Sequence, residues 1–106
     1  MEANELRIGN YVNHNGFAPI TIDAVDIIHC QQHPEAYKPI ELTEEWLLKL
    51  GFIIDNGWFK IGYLKLFPIR DLYYRAIVPI TKDINYVHQL QNLYFALTGE
   101  ELTIKS

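Results

Sequence analysis

A short polar segment places two histidines around the single cysteine of the chain. His29, Cys30 and His33 form an H-C-x-x-H sequence, and imidazole nitrogen and thiolate sulfur are the ligands that zinc prefers. A structural zinc site needs four ligands, and the other two histidines, His14 and His88, are distant in sequence. We therefore expect no metal ion and no other cofactor, but a polar loop with a partly buried cysteine.

The sequence lacks the residue patterns of common catalytic sites. Cys30 would need a base and an orienting group to act as a nucleophile, and the ring of an adjacent residue such as His29 rarely points at its neighbour's sulfur. The paired glutamates at 44–45 and 100–101 fall at predicted helix ends, where solvation explains them. No glycine-rich phosphate-binding loop is present in the sequence. We therefore predict that the protein is not an enzyme.

Cations alternate with aromatic residues between residues 58 and 75. The whole chain carries a net charge of −4, which argues against non-specific nucleic-acid binding, yet the segment 58–82 is locally basic. Cations beside stacking aromatic rings are what a nucleotide or a single-stranded nucleic acid requires. The residues predicted to bind an anionic, nucleotide-like ligand are Lys60, Lys65, Arg70, Arg75, Tyr63 and Tyr73.

Two features of the basic segment leave an alternative open. Strand alternation points Lys60 and Lys65 to opposite faces unless Gly62 forms a bulge. The aromatic rings can instead fill the core, with the lysines discouraging strand pairing at a sheet edge.

The last predicted helix has an uncharged polar face. No charged residue occurs from residue 86 to residue 98, whereas a solvated helix face usually carries lysine and glutamate. This face predicts a surface for a protein partner, and the alternative is that its amides hold loop backbone, as buried polar groups must. The residues of this predicted partner-binding face are His88, Gln89, Gln91 and Asn92.

The elements that position these residues indicate an α+β fold with a mostly antiparallel sheet. Asn15 and Gly16 predict a hairpin turn whose second strand returns through residues 20–27, with a loop following at 29–39. A helix at about 43–50 begins at the cap Thr43 and ends at Gly51. A second hairpin turns at 55–57, strand-like segments cover 58–67 and 72–80, and a second helix covers about 85–98.

Length and composition bound the class of protein. The chain has 106 residues, 49% of them hydrophobic and 13% aromatic, which predicts one domain over residues 1–106 with a core of its own. No apolar run approaches the length of a membrane helix, and the acidic start is unlike a secretory signal. One cysteine fits a reducing compartment, so we expect a cytoplasmic protein.

Three stretches resemble a family of small uncharacterised proteins from Bacteroides-type gut bacteria, their prophages and phages. They are NELRIGN at 4–10, LTEEWLLKLGF at 42–52 and YVHQLQNLYFALTGEEL at 86–102. The resemblance implies a phage or mobile-element context and an intracellular site of action, and it implies no activity. Separately, residues 7–12 resemble the first strand of SH3-like barrels, so the N-terminal strands either close into a barrel or extend one sheet with the later hairpins.

These observations favour a non-catalytic protein-interaction module that binds a host or phage protein and can form a homo-oligomer. The alternative is a protein that binds or sequesters a small anionic, nucleotide-like ligand. A ligand-binding protein predicts that the cations of 58–75 converge on one pocket with an aromatic wall.

Overall fold

The chain folds into two compact units, each built from an early and a late segment. The structure, a computed structural model, describes residues 1–16, 19–62, 64–70, 73–77 and 82–105. The first unit comprises Met1–Ile40 with Val87–Glu101, and the second comprises Glu41–Tyr86 with Leu102–Ser106. Helices and antiparallel sheets together make the fold α+β, as predicted. That residues 1–106 form one domain stays a prediction.

Three α-helices and eight strands lie within the described ranges. The helices are α1 (Ala24–Gln32), α2 (Glu44–Lys49) and α3 (Val87–Thr98). The strands are β1 (Tyr11–His14), β2 (Ile20–Thr21), β3 (Tyr37–Lys38), β4 (Ile53–Asp55), β5 (Trp58–Ile61), β6 (Leu64–Arg70), β7 (Tyr73–Ile77) and β8 (Lys82–Ile84).

The first unit contains a three-stranded antiparallel sheet with β1 at its centre. Asn15 and Gly16 both have positive φ angles, of 54° and 76°, as the predicted hairpin turn requires. Within the part of the chain that the structure describes, β2 and β3 are the two edges of this sheet. Among the described residues the N-terminal strands therefore form an open sheet of their own, which is neither of the two alternatives that the sequence left open, a barrel or one sheet with the later hairpins.

Helix α1 occupies the segment predicted to be a returning strand and a loop. Asp23 caps its start: the Asp23 carboxylate accepts from the Asp26 N–H at 2.9 Å, and the Asp26 carboxylate accepts from the Asp23 N–H at 3.0 Å. This reciprocal capping satisfies two backbone donors that the first turn leaves open. The alternation of apolar residues at 20–27 was therefore a misleading signal, and the second strand ends at Thr21.

The second unit contains a five-stranded antiparallel meander in the order β4-β5-β6-β7-β8. Asn56 and Gly57, both with positive φ, connect β4 to β5, which confirms the second hairpin. The predicted helices are also confirmed: the Thr43 hydroxyl accepts from the Trp46 N–H at 3.2 Å at the start of α2, and Gly51 follows its end. Helix α3 ends at Thr98, directly before Gly99.

Each unit has its own buried apolar residues. Leu6, Val12, Ile22, Cys30 and Tyr37 form the core cluster of the first unit. In the second unit, the buried side of the meander carries Phe59, Leu64, Leu66 and Ile84. Because side chains alternate along a strand, the residues between these four point to the opposite, outer face of the sheet.

Candidate functional site

The two lysines of the basic segment are cross-strand neighbours on the outer face. Lys60 of β5 and Lys65 of β6 are directly paired in the antiparallel register. The chain reverses after Ile61, where Gly62 has a φ of 55°, instead of continuing as one strand over 58–67. Of the two possibilities that the sequence left open, the lysines therefore share a face, because residues paired directly across a sheet lie on the same side of it.

A shallow cavity of about 200 Å³ lies at this lysine pair, lined by Asp55, Asn56, Trp58, Lys60 and Lys65. The Lys60 ammonium donates to Oδ2 of Asp55 at 2.8 Å. This hydrogen bond and the charge of Lys60 hold the pKa of the Asp55 carboxyl below its ordinary value, and the charge of Lys65 acts in the same direction. Two ammonium groups thus face one carboxylate.

Aromatic rings adjoin the cavity on the same face. Trp58 lies two residues before Lys60, and its ring centroid is 4.9 Å from that of Phe67, with the planes tilted by 49°. Phe67 is exposed, and Trp58 is partly so. We call the surface formed by Asp55, Trp58, Lys60, Lys65 and Phe67 the outer sheet face.

The remaining residues predicted to bind an anion are only partly described. Arg75 of β7 is paired directly with Phe67, a residue of the outer sheet face, so the Arg75 backbone lies beside that face. Arg70 is paired with Tyr73 after a register shift in β6. The side chains of Arg70, Arg75 and Tyr73, and all of Tyr63, lie outside the described residues. Of the predicted set, Lys60 and Lys65 are brought together.

The predicted partner-binding face of α3 is largely turned inward. Gln91 is buried, and its Oε1 accepts from the Tyr11 N–H at 2.8 Å while its Nε2 donates to the Gly9 carbonyl at 3.1 Å. The Nδ2 of the buried Asn10 lies 3.4 Å from the same Gln91 Oε1. The carboxamide therefore holds the bend before β1, which is the alternative that the sequence left open.

Asn92 continues the same network at the edge of the unit. Its Oδ1 accepts from Arg7 Nη1 at 2.8 Å and from Asn10 Nδ2 at 3.0 Å, and its Nδ2 donates to the Glu5 carbonyl at 3.0 Å. Arg7 also pairs with Glu101 at 2.6 Å. The side chain of Asn92 is therefore hydrogen-bonded to the N-terminal segment of this chain.

His88 and Gln89 complete the predicted face. His88 is buried, and its Nε2 lies 3.6 Å from Oε1 of Glu5. Burial lowers the pKa of the imidazole, and the nearby Glu5 carboxylate opposes that shift. Gln89 is partly exposed. Because His88 and Gln91 are buried, they cannot contact a partner directly, and a partner-binding role for this face is not supported by the geometry.

The histidine-rich segment forms a ring cluster around Tyr37 that sequence reasoning missed. His14 stacks on Tyr37, with centroids 4.5 Å apart and planes 13° apart, and the His29 ring lies 5.6 Å from the His14 ring. The antiparallel pairing of β1 with β3 brings the two rings together, since His14 is paired directly with Tyr37. The long sequence separation of His14 hid this contact.

The ring cluster does not assemble a complete metal site or a nucleophile. Among the residues that the structure describes, no three His, Cys, Asp or Glu residues are grouped as metal ligands. Cys30 is fully buried, its thiol donates to the Met1 carbonyl at 3.4 Å, and burial raises the pKa of the thiol. A buried thiol with a raised pKa is a poor nucleophile.

No family model, curated protein or solved structure matches the chain. Within the described part of the chain, no helix is both long and apolar enough to cross a membrane.

Proposed function

We propose that this protein is a non-catalytic binding protein whose outer sheet face takes a small anionic ligand with a planar ring, of the nucleotide class. The observation that carries the proposal is the direct cross-strand pairing of Lys60 with Lys65 beside Trp58. An anionic group of the ligand is bound between the two ammonium groups, and its ring stacks on the indole.

The lysine pair is unfavourable for the fold alone. Like charges directly opposite each other on neighbouring strands destabilise a sheet, where an opposite-charge pair would contribute roughly 0.2–1 kcal/mol. Asp55 compensates one of the two charges through its contact with Lys60. Among the described residues, Lys65 has no carboxylate partner of its own, and it supplies the uncompensated charge that an anion would neutralise.

The size of the cavity fits one charged group rather than a whole ligand. Drug-sized ligands occupy pockets of about 300–1,000 Å³, and this cavity holds about 200 Å³. A phosphate between the lysines would leave the ring of a nucleotide on the exposed aromatic surface of Trp58 and Phe67. Stacking of a base on an aromatic side chain contributes about 1–3 kcal/mol and tolerates different bases.

The test is a fluorescence titration with AMP, adenosine and inorganic phosphate in a Trp46→Phe background, where Trp58 is the single indole. We expect AMP to quench Trp58 fluorescence at lower concentrations than either fragment. Lys65→Ala should weaken AMP binding at least fivefold, whereas the control Lys38→Ala, an exposed lysine of β3, should not. Equal binding of AMP and adenosine, or equal effects of the two lysine variants, would overturn the proposal.

A second variant tests the compensation by Asp55. Asp55→Asn removes the carboxylate that engages Lys60, and an exposed ion pair contributes up to about 1 kcal/mol. AMP affinity should therefore rise by up to about fivefold in this variant. A loss of AMP affinity in Asp55→Asn would contradict the assignment of this pocket to an anion.

A protein-interaction module that binds a host or phage protein, or a second copy of this chain, is the second candidate. Exposed apolar residues on α1 favour it: Val25 and Ile28, three residues apart on one helix face, are 72% and 57% exposed. The resemblance to phage and prophage proteins supports this context and a cytoplasmic site of action.

Native mass spectrometry over a range of protein concentrations separates the two candidates. Self-association through α1 predicts a dimer that Val25→Asn with Ile28→Asn abolishes and that Ile8→Asn, a control at another exposed apolar residue, leaves intact. A monomer at all concentrations would contradict the homo-oligomer.

A further inference from the structure

A hydrogen-bonded relay fixes the orientation of one histidine in the ring cluster. The Tyr37 hydroxyl donates to Oδ1 of Asp26 at 3.2 Å, and Nδ1 of His29 lies 2.9 Å from the same hydroxyl oxygen. A hydroxyl has one hydrogen, and here it is directed at Asp26. Nδ1 of His29 therefore carries the hydrogen of the second bond, and Nε2 of the neutral ring keeps its lone pair.

The same relay is shielded from water at its centre. Tyr37 is 1% exposed, so water does not compete for its hydroxyl, which keeps donating to Asp26. The arrangement is that of a metal-binding histidine whose other nitrogen is held by an outer hydrogen-bond partner.

A second imidazole lies one helical turn further along. His33 follows His29 by four residues and comes directly after α1, where its backbone N–H donates to the His29 carbonyl at 2.8 Å. Their ring centroids are 4.9 Å apart with the planes tilted by 42°, and the His33 side chain is 56% exposed. This separation allows one nitrogen of each ring to reach the same ion at the usual Zn–N distance of about 2.0–2.1 Å.

We propose that His29 and His33 bind a divalent transition-metal ion of the Zn²⁺ or Ni²⁺ class, with Asp26 and Tyr37 as the groups that position His29. Imidazole suits these ions better than it suits Mg²⁺ or Ca²⁺. The described residues supply no third protein ligand, so water completes the coordination. The site belongs to the first unit and is independent of the proposed anion site.

The experiment is isothermal titration calorimetry of the untagged full chain with NiCl₂ and with ZnCl₂ at pH 7.5. We expect one ion per chain, and His33→Asn, an exposed substitution that leaves the core intact, should abolish that binding. Tyr37→Phe should weaken it about 10–100-fold, as loss of an outer partner does. Cys30→Ser and Lys65→Ala should retain it within threefold.

A further control makes the assignment specific. His14→Asn removes a neighbouring ring that the proposal does not use, so the ion should still bind within threefold. Binding unchanged by His33→Asn, binding lost in His14→Asn, or no heat with either ion would each overturn the proposal.

Discussion

The carboxamide of Gln91 accepts a hydrogen bond from the backbone N–H of Tyr11 at 2.8 Å, across 80 residues of sequence. The same side chain donates to the Gly9 carbonyl, so one residue of α3 satisfies two backbone groups at the entry to β1. Gln91 is fully buried, and buried backbone groups left without partners are strongly unfavourable. The polar residues of α3 thus tie the helix to the N-terminal segment.

Gln91→Ala should lower the free energy of unfolding by about 2 kcal/mol, because it removes the side-chain partner of two partly buried backbone groups, the Tyr11 N–H and the Gly9 carbonyl, and such a loss costs roughly 1–3 kcal/mol per fully buried group. Urea unfolding measures the change. The matched control is Gln31→Ala, at an exposed glutamine of α1, where we expect a change within about 0.5 kcal/mol. Equal effects of the two variants would show that the carboxamide bonds contribute nothing.

His88 should make the protein sensitive to mild acid. Burial lowers the pKa of the folded-state imidazole below its unfolded value of about 6.5. The unfolded chain therefore binds a proton first, and stability that is present above pH 6.5 is lost as the pH falls through the folded-state pKa. Urea unfolding at a series of pH values from 7.5 to 5 measures the free energy of unfolding, which should decline less steeply with falling pH in His88→Gln than in the wild type. Identical declines of the unfolding free energy in the two proteins would contradict this assignment.

Lys65→Thr should stabilise the protein while weakening AMP binding. It removes the like-charge contact with Lys60, with an expected gain of about 0.2–1 kcal/mol in unfolding free energy beyond that of the control Lys38→Thr. The control corrects for the higher strand propensity of threonine. Urea unfolding at low and at high salt measures the unfolding free energies of both variants. The extra gain of Lys65→Thr over Lys38→Thr should shrink at 1 M salt, where the charges are screened. No extra gain at low salt would mean that the two lysines do not repel each other measurably.

Tyr37 should make the folding stability of the protein fall at strongly alkaline pH. Its pKa is raised to about 12 in the folded state, against an unfolded value of about 10. The unfolded chain releases the phenol proton first, so this stability is complete below pH 10 and is lost as the pH rises through 12. The difference in unfolding free energy between wild type and Tyr37→Phe should therefore narrow from pH 9 to pH 11.5. If this difference in unfolding free energy stays constant from pH 9 to pH 11.5, the phenol of Tyr37 does not have a raised pKa in the folded protein.

The elements predicted correctly are those with strong local signals at their ends. Thr43 and Gly51 bound α2, and Asn56 with Gly57 forms a two-residue turn, because these residue types satisfy backbone geometry with little help from tertiary contacts. The helix at Ala24–Gln32 was missed because its outward residues Val25 and Ile28 are apolar, which obscures the amphipathic period. The reciprocal Asp23 and Asp26 cap was the available signal.

The candidate sites depended on contacts that sequence order conceals. The pairing of Lys60 with Lys65 requires the reversal after Ile61, and a single glycine within an apolar and aromatic run predicts a bulge as readily as a turn. The ring cluster requires β1 and β3 to pair, which places His14 on Tyr37 from 23 residues away. The sequence could identify candidate residues by type, but strand register decides which of them lie side by side.

The interleaved construction of the two units has a consequence for synthesis on the ribosome. Met1–Ile40 is complete as a polypeptide before Glu41–Tyr86 is translated, yet its helix α3 is encoded after that whole segment. At elongation rates of about 5–20 residues per second, the nascent first unit waits roughly 3–12 s until its last helix is complete. During that interval the Gly9 carbonyl and the Tyr11 N–H lack their Gln91 partner, so the entry to β1 gains these bonds only when α3 has been made.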